Sequence, residues 1–342
     1  MTQPAKKPSP VGRGLGEGPS TSTNAAHEGA STPQTHLLLP LTILAALAAA
    51  PLYADSFVLG LLARAMILGT AAISLSLLVG GAGLISLGHA AMFGVGAYTV
   101  ATLDLAGQTN AALVFPAAAA AAALVALATG AVSLRTSGVH FIMITLAFAQ
   151  MIFFTVSALS ALGGDDGYTI YARSDWFGAP LLKNRITFHA ACLATLTTTW
   201  LLCSAILDSR FGRVLRAARE NEQRVQALGF SPYRYRLAAY TLAGAISGLA
   251  GALMANASEF VSPATLSWTR SGDLLFMVIL GGANRLYGAI LGALAIVLLE
   301  EYLSHHLEFW RLAFGPMLVL SVLFLRNGLA GLPGILNRRT HA

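Results

Sequence analysis

Long apolar runs constrain this chain more than any other feature. Segments near 37–53, 56–80, 84–106, 111–133, 138–161, 187–207, 237–257, 272–283, 287–303 and 310–326 carry almost no charge. About twenty apolar residues in helical form cross the hydrocarbon core of a bilayer. A spanning segment there must satisfy its own backbone hydrogen bonds, which leaves helices or closed barrels. The strand alternation of a barrel is missing. The expected fold is therefore an all-α, polytopic helical membrane protein with about ten transmembrane segments and glycine-rich broken helices. Composition agrees, with only 11% charged residues against about 25% in an average soluble domain. The run at 272–283 is too short for a full span and is expected to be broken or re-entrant.

Charge outside the runs gives orientation. The stretch "SRFGRVLRAARENEQRVQALGFSPYRYRL" (209–237) holds seven arginines and two glutamates. Basic excess beside spans marks cytoplasmic loops, so the net charge of +6 points to orientation rather than to nucleic acid. Alternation from a cytoplasmic 208–236 loop puts 162–186 and 258–271 outside and both termini inside. Arg338 and Arg339 in the tail agree, while Lys183 and Arg185 in the outer loop are mildly discordant. Residues 1–36, rich in Pro, Gly, Ser and Thr, read as a disordered tail. The following run is either a signal peptide cleaved near Ala48–Ala50 or a retained first span, and the long, weakly basic leader favours retention. Cys192 and Cys203 lie three helical turns apart, too far for a disulfide, and read as packing residues.

Three stretches hold too many glycines for ordinary lipid-facing helices: 80–98, 243–253 and 280–293. The pairs Gly244/Gly248 and Gly288/Gly292 each line one helix face and permit close backbone approach. Around Gly80–Gly88 and Gly281–Gly288 two readings stand: helix packing alone, or helix breaks beside a translocation path, since irregular backbone at membrane depth must be buried or reached by water.

No catalytic constellation is present, and no phosphate-binding G-x-x-x-x-G-K-[ST] loop, so no hydrolysis of ATP by this chain is expected. No cofactor is expected either. His89 stands alone in its glycine-rich segment and reads first as a hydrogen-bonded packing residue, second as a path residue. His305 and His306 point in different directions on a helix and make a poor metal pair. "GGDDG" (163–167) offers too few oxygen ligands for calcium and reads as a surface turn. Arg64 lies in an apolar run, where a charge is a functional hypothesis by default, but snorkelling to the interface is favoured.

The island itself has helical grammar over 211–228. Phe211, Val214, Ala218, Val225 and Leu228 form one apolar stripe, and Glu220 precedes Arg224 by four residues, the favourable order for an ion pair. Gly229 is placed to end the helix, and Ser231-Pro232 opens the next turn. Such a helix could lie on anionic lipid, serve only as an orientation signal, or dock its stripe into a groove of a soluble partner. Mixed Arg and Glu favour docking.

The island resembles the loop bearing the coupling helix in branched-chain amino acid ABC transporter permeases of the LivM type. The matching residues are Ser209, Phe211, Gly212, Arg213, Ala217, Arg219, Glu222 and Gly229, followed by Gly248 and "AGAL" at 250–253. "SLGHAAMFGVGAY" (86–98), "SGDLLFMVILGG" (271–282) and the final "GLAGL" are similar to further family motifs, in the same order. The chain departs at Leu84, where the family usually has Gln, and at Asn284-Arg285, where it usually has Gly-Thr. The resemblance implies a transmembrane subunit of an ABC importer for branched-chain or related amino acids, not an enzyme. Implied partners are a LivH-type permease subunit, two cytoplasmic ATP-binding subunits and a periplasmic substrate-binding protein, with the chain in the bacterial inner membrane. It assigns ATPase coupling to Phe211, Gly212, Arg213, Ala217, Arg219, Glu222 and Gly229. Ser86, Gly88, His89, Gly281, Gly282 and Gly288 become candidates for the translocation path. The division is then a cytoplasmic tail at 1–36, a transmembrane permease domain at 37–335 and a second tail at 336–342. Urea or short amides remain alternative cargoes, and an ion-coupled secondary transporter or a channel-like pore alternative classes.

Overall fold

The computed structural model describes residues 35–171, 173–176, 181–283, 285–306, 312, 315, 316, 319 and 328–331. Most of the expected run at 310–326, most of both tails, and Asn284 lie outside the described residues. The helices are α1 (Thr35–Ala49), α2 (Ser56–Ser76), α3 (His89–Leu105), α4 (Ala111–Ser133), α5 (Val139–Ser157), α6 (Arg185–Asp208), α7 (Arg210–Glu220), α8 (Glu222–Ala227), α9 (Pro232–Ser258), α10 (Trp268–Gly281) and α11 (Leu286–His306). A π-helical extension, Leu77–Ala82, prolongs α2. Two short strands, β1 (Tyr168–Thr169) and β2 (Phe260–Val261), pair antiparallel. The all-α membrane architecture expected from the sequence is the one observed.

Six helices among the described residues are long and apolar enough to span: α2 with its extension, α4, α5, α6, α9 and α11. The count of ten is not reproduced. At 17 and 14 residues, α3 and α10 reach only about 25 Å and about 21 Å, short of a hydrocarbon core of about 30 Å.

Contacts sort the helix ends into two faces. One face carries α7, the ends of α2 and α4, and the starts of α5 and α9. There Arg219 donates to the Gly80 carbonyl, Tyr233 to the Ala131 carbonyl, and Phe141 meets Tyr240 edge-on. The opposite face carries the β ribbon, the end of α3 through the Tyr168–Asp104 hydrogen bond, the start of α4 through Ala111 and Asp175, and the end of α9 through Asn256 and Ser174. The described parts of 162–186 thus share one face with 258–271, and 208–236 lies on the other.

At the centre α9 is gripped between α3 and α4. A Cβ on Gly96 would run into the Gly248 backbone, and one on Gly251 into the Phe93 carbonyl. On its other side Gly244 and Gly248 sit against Ala126 and Ala122 of α4, which makes the expected small-residue face a real helix contact. Cys192 and Cys203 are buried and free, as packing residues should be.

Candidate functional site

Both glycine-rich breaks exist. After α2 the backbone turns at Gly83 (φ 69°) and runs without regular structure to Gly88 before α3 begins. Ser74 Oγ lies 2.7 Å from His89 Nε2. Since Ser74 stands eight residues before the α2 extension ends at Ala82, the start of α3 is set back inside the protein by about 12 Å. The buried α3 N-terminus collects polar groups from three other helices. Ser271 Oγ of α10 accepts from the Ala90 N–H at 2.9 Å. Ser247 Oγ of α9 donates to the His89 carbonyl at 3.4 Å. Ser86 Oγ accepts from the Gly88 N–H at 3.2 Å. Ser74 also hydrogen-bonds the Ala71 carbonyl at 2.7 Å. One hydroxyl proton cannot serve both neighbours, so when it goes to Ala71 the His89 Nε2 carries the donating hydrogen. His89 is buried within the chain. Gly88 is crowded by the Thr145 carbonyl, 2.7 Å from where a Cβ would stand. Ser74, Ser247 and Ser271 were not singled out in the sequence. Their signal was a hydroxyl recurring inside otherwise apolar runs.

The second break is a hairpin. α10 ends at Gly282, whose φ of 108° favours glycine, and α11 returns antiparallel. Gly281 and Gly288 meet backbone to backbone, and Gly292 sits on the Met277 carbonyl. The tip is tied to Gly328–Gly331: Arg285 Nη1 donates to the Ala330 carbonyl at 3.0 Å and to the Tyr287 hydroxyl at 2.6 Å. Before α10 the chain descends along α3, with Leu266 against Gly94 and Ser271 at Ala90. The short 272–283 run is therefore an inner, broken element. The two clusters of path candidates belong to different halves of the chain and are joined along α10, with Ser271 near its start at the first and Gly281 at its end, about 15 Å away, in the second.

The basic island departs from expectation in three ways. It is two helices, not one. Asn221 takes extended backbone (φ −153°, ψ 100°), and its side chain accepts from the Arg224 N–H at 2.9 Å, capping α8 where α7 stops. Glu220 and Arg224 consequently sit on different helices, and no ion pair joins them. Thirdly, the apolar stripe faces the chain's own spans. Gly212, Leu215, Ala218 and Val225 are buried, and a Cβ on Gly81 would touch Leu207 and Leu215. Leu228 alone of the stripe stands out, 71% exposed.

Polar latches hold this docking. Arg219 reaches back to the Gly80 carbonyl. Arg236 at the start of α9 binds Glu222 Oε2 at 2.8 Å and the Ala218 carbonyl at 3.1 Å. Ser209 caps α7 by accepting from the Gly212 N–H. Gly229 ends α8 with φ 84°, as its position predicted. Of the residues assigned to coupling, Gly212, Arg219 and Glu222 contact this chain, Phe211 stacks on Tyr235, and Arg213 and Ala217 are exposed together with Arg216 and Glu220.

Arg64 does not simply snorkel. Its Nη2 lies 3.4 Å from Glu300 Oε2 of α11, both side chains about one-third exposed. Among the described residues no group of three His, Cys, Asp or Glu could hold a metal. "GGDDG" forms a 3-10 turn between left-handed glycines.

A family model described as branched-chain amino acid transport system / permease component matches residues 57–324. The chain is 26% identical to the high-affinity branched-chain amino acid transport system permease protein LivM of Escherichia coli (strain K12), over 89% of this chain and 76% of that protein. The LivM of Salmonella typhimurium is 26% identical over 75% of this chain and 66% of its own length. A probable branched-chain amino acid transport permease protein LivH of Methanocaldococcus jannaschii is 30% identical over 51% of this chain and 55% of that protein. No solved structure matches. With the family model covering most of its length and six helices able to span a membrane among the described residues, this chain belongs to the branched-chain amino acid transport system permease component family and is a multi-pass membrane transport subunit.

Proposed function

We propose that the chain forms one half of the translocation path of an importer for branched-chain or related amino acids. Its partners are then a LivH-type permease, two cytoplasmic ATP-binding subunits and a periplasmic substrate-binding protein. The reading places the chain in the inner membrane, with the α7–α8 face and both tails (1–36 and 336–342) cytoplasmic and 37–335 as the permease domain. The carrying observation is the two-sided α7. Its inner side is bolted to α2 and α9 through Leu215, Ala218 and Arg219, with Glu222 of α8 adding a second hold on α9, while Arg213, Arg216, Ala217 and Glu220 stay exposed on the outside. A lever needs a rigid attachment on one side and a free, charged face to fix register on the other.

Motion delivered to α7 passes through Arg219 to the end of α2, and thence to the Ser74–His89 contact and the start of α3. Ser86, Gly88 and His89, with the Gly281–Gly282–Gly288 hairpin, are the elements that would rearrange, because α3 and α10 both begin inside the protein. ATP chemistry is left to the partner subunits.

Purifying the chain from native membranes tests this. ATP-binding subunits should co-purify with the wild type and be lost with Arg213→Glu/Arg216→Glu, at unchanged membrane insertion. Unaltered co-purification would show that the exposed face is not the docking surface.

A further inference from the structure

The face opposite α7 holds a cavity of about 390 Å³ between the start of α2, the start of α6, the end of α9 and the end of α11. Ser56, Gly60 and Arg64 line it from one side of α2, and Phe188 and Ala257 form apolar wall. Arg173, Arg185 and Glu301 complete its charged lining. Its volume lies at the lower end of the range of about 300–1,000 Å³ for small-molecule sites.

The charges divide into those already spent and those still free. Arg64 faces Glu300. Arg173 Nε lies 2.7 Å from Glu259 Oε1, though its N–H does not point at that oxygen. Its guanidinium also lies 5.5 Å from the Phe188 ring centre, within cation–π range. Neither Arg185 nor Glu301 has a side-chain partner among the described residues, and Glu301 is half-buried. Arg185 is exposed, so both charged groups are open to a ligand that enters the cavity. The remaining pair is thus one guanidinium and one carboxylate, of opposite sign, in a small cavity with an apolar wall.

We infer that this cavity is a binding site for a zwitterionic α-amino acid, whose carboxylate meets Arg185 and whose ammonium meets Glu301, with the side chain against Phe188 and Ala257. A zwitterion brings both charges at once and leaves the cavity's net charge unchanged. A simple anion would leave Glu301 unpaired, and a cation would leave Arg185 so. Guanidinium–carboxylate and carboxylate–ammonium contacts are the strong, charge-assisted kind. The inference rests on the import reading, which places this face on the side where substrate arrives.

The test uses the full chain in lipid nanodiscs and radiolabelled leucine as probe. Glu301→Gln and Arg185→Gln should each weaken leucine binding about tenfold, roughly one charge-assisted contact's worth, while Lys183→Gln, outside the cavity, should not. 4-Methylpentanoate lacks the ammonium and should compete at least as well on Glu301→Gln as on wild type. Leucinamide lacks the carboxylate and should compete equally on wild type and Arg185→Gln. Glu301→Asp, which keeps the charge, should retain most of the binding and shows that loss in Glu301→Gln is not misfolding. No leucine binding at millimolar concentration, or unchanged binding in both variants, overturns the site. Leucine uptake by cells separates the two readings. Uptake that depends on the chain but ignores both variants leaves import standing and removes the cavity, whereas uptake independent of the chain removes both.

Discussion

Replacing Glu222 by Ala should loosen the α8 helix from α9 even in the absence of any partner protein. Glu222 Oε2 sits 2.8 Å from Arg236 Nη1, with Arg236 15% and Glu222 43% exposed. Removing one member of a fully buried pair costs about 3–5 kcal/mol, and an exposed pair contributes about 0.2–1 kcal/mol. This pair lies between, so screening by water on the Glu222 side leaves about 1–2 kcal/mol. That corresponds to roughly a tenfold rise in the undocked population. Hydrogen exchange in nanodiscs reads it directly: amides of 222–228 should exchange about ten times faster in Glu222→Ala. Arg236→Met should do more, because it also removes the bond to the Ala218 carbonyl. The double variant should be no worse than Arg236→Met alone, the signature of two residues sharing one interaction. If Glu222 served only as a contact for a partner protein, exchange in the isolated chain would not change and the effects would add. Either result refutes the latch.

Two further outcomes follow from burial. Gly88→Ala sets a methyl 2.7 Å from the Thr145 carbonyl, and overpacking of this kind costs about 1–3 kcal/mol. The thermal midpoint by size-exclusion fluorescence should fall in Gly88→Ala but not in Gly272→Ala, which has open space around it, and equal midpoints would show that α3 tolerates a shift at its start. Ala218→Asp should lower the same midpoint in the isolated chain, because Ala218 is 1% exposed and faces this chain's own spans. A normal midpoint with selective loss of a partner would reverse the orientation of α7 given above.

What the sequence could and could not tell separates along the range of the interactions involved. Spans are legible because the membrane imposes a local rule, about twenty apolar residues in a row. The stop at Gly229 is legible because a left-handed residue is needed there and glycine supplies it. The split of the island at Asn221 is a contest between two local preferences. A continuous apolar stripe argues for one helix, and an Asn that caps α8 argues for two. In the structure the cap prevails: Asn221 is extended and its side chain accepts from the Arg224 N–H, while Arg236 binds Glu222 at the start of α8. Arg64 shows the other limit. Its partner, Glu300, lies 236 residues away, so a charge read in isolation looks like one that must reach for water.

Amphipathicity misleads at α7 for a related reason. A helix with one apolar stripe must bury that stripe somewhere, but the period of the pattern does not say against what. Here the burial is internal, which changes the meaning of every residue on the helix. Those on the stripe become anchors, and under the proposed coupling the residues left for a partner are the charged ones at 213, 216 and 220 with Ala217 between them. A coupling helix whose greasy side entered the partner would move relative to its own spans. One whose greasy side is bolted to α2 and α9 cannot, and must carry the start of α3 with it. The glycines at 88, 96 and 248 extend the same logic inward. Backbones that touch without intervening side chains have little compliance, so a displacement at α7 reaches the His89 junction as movement of whole helices rather than as repacking of side chains.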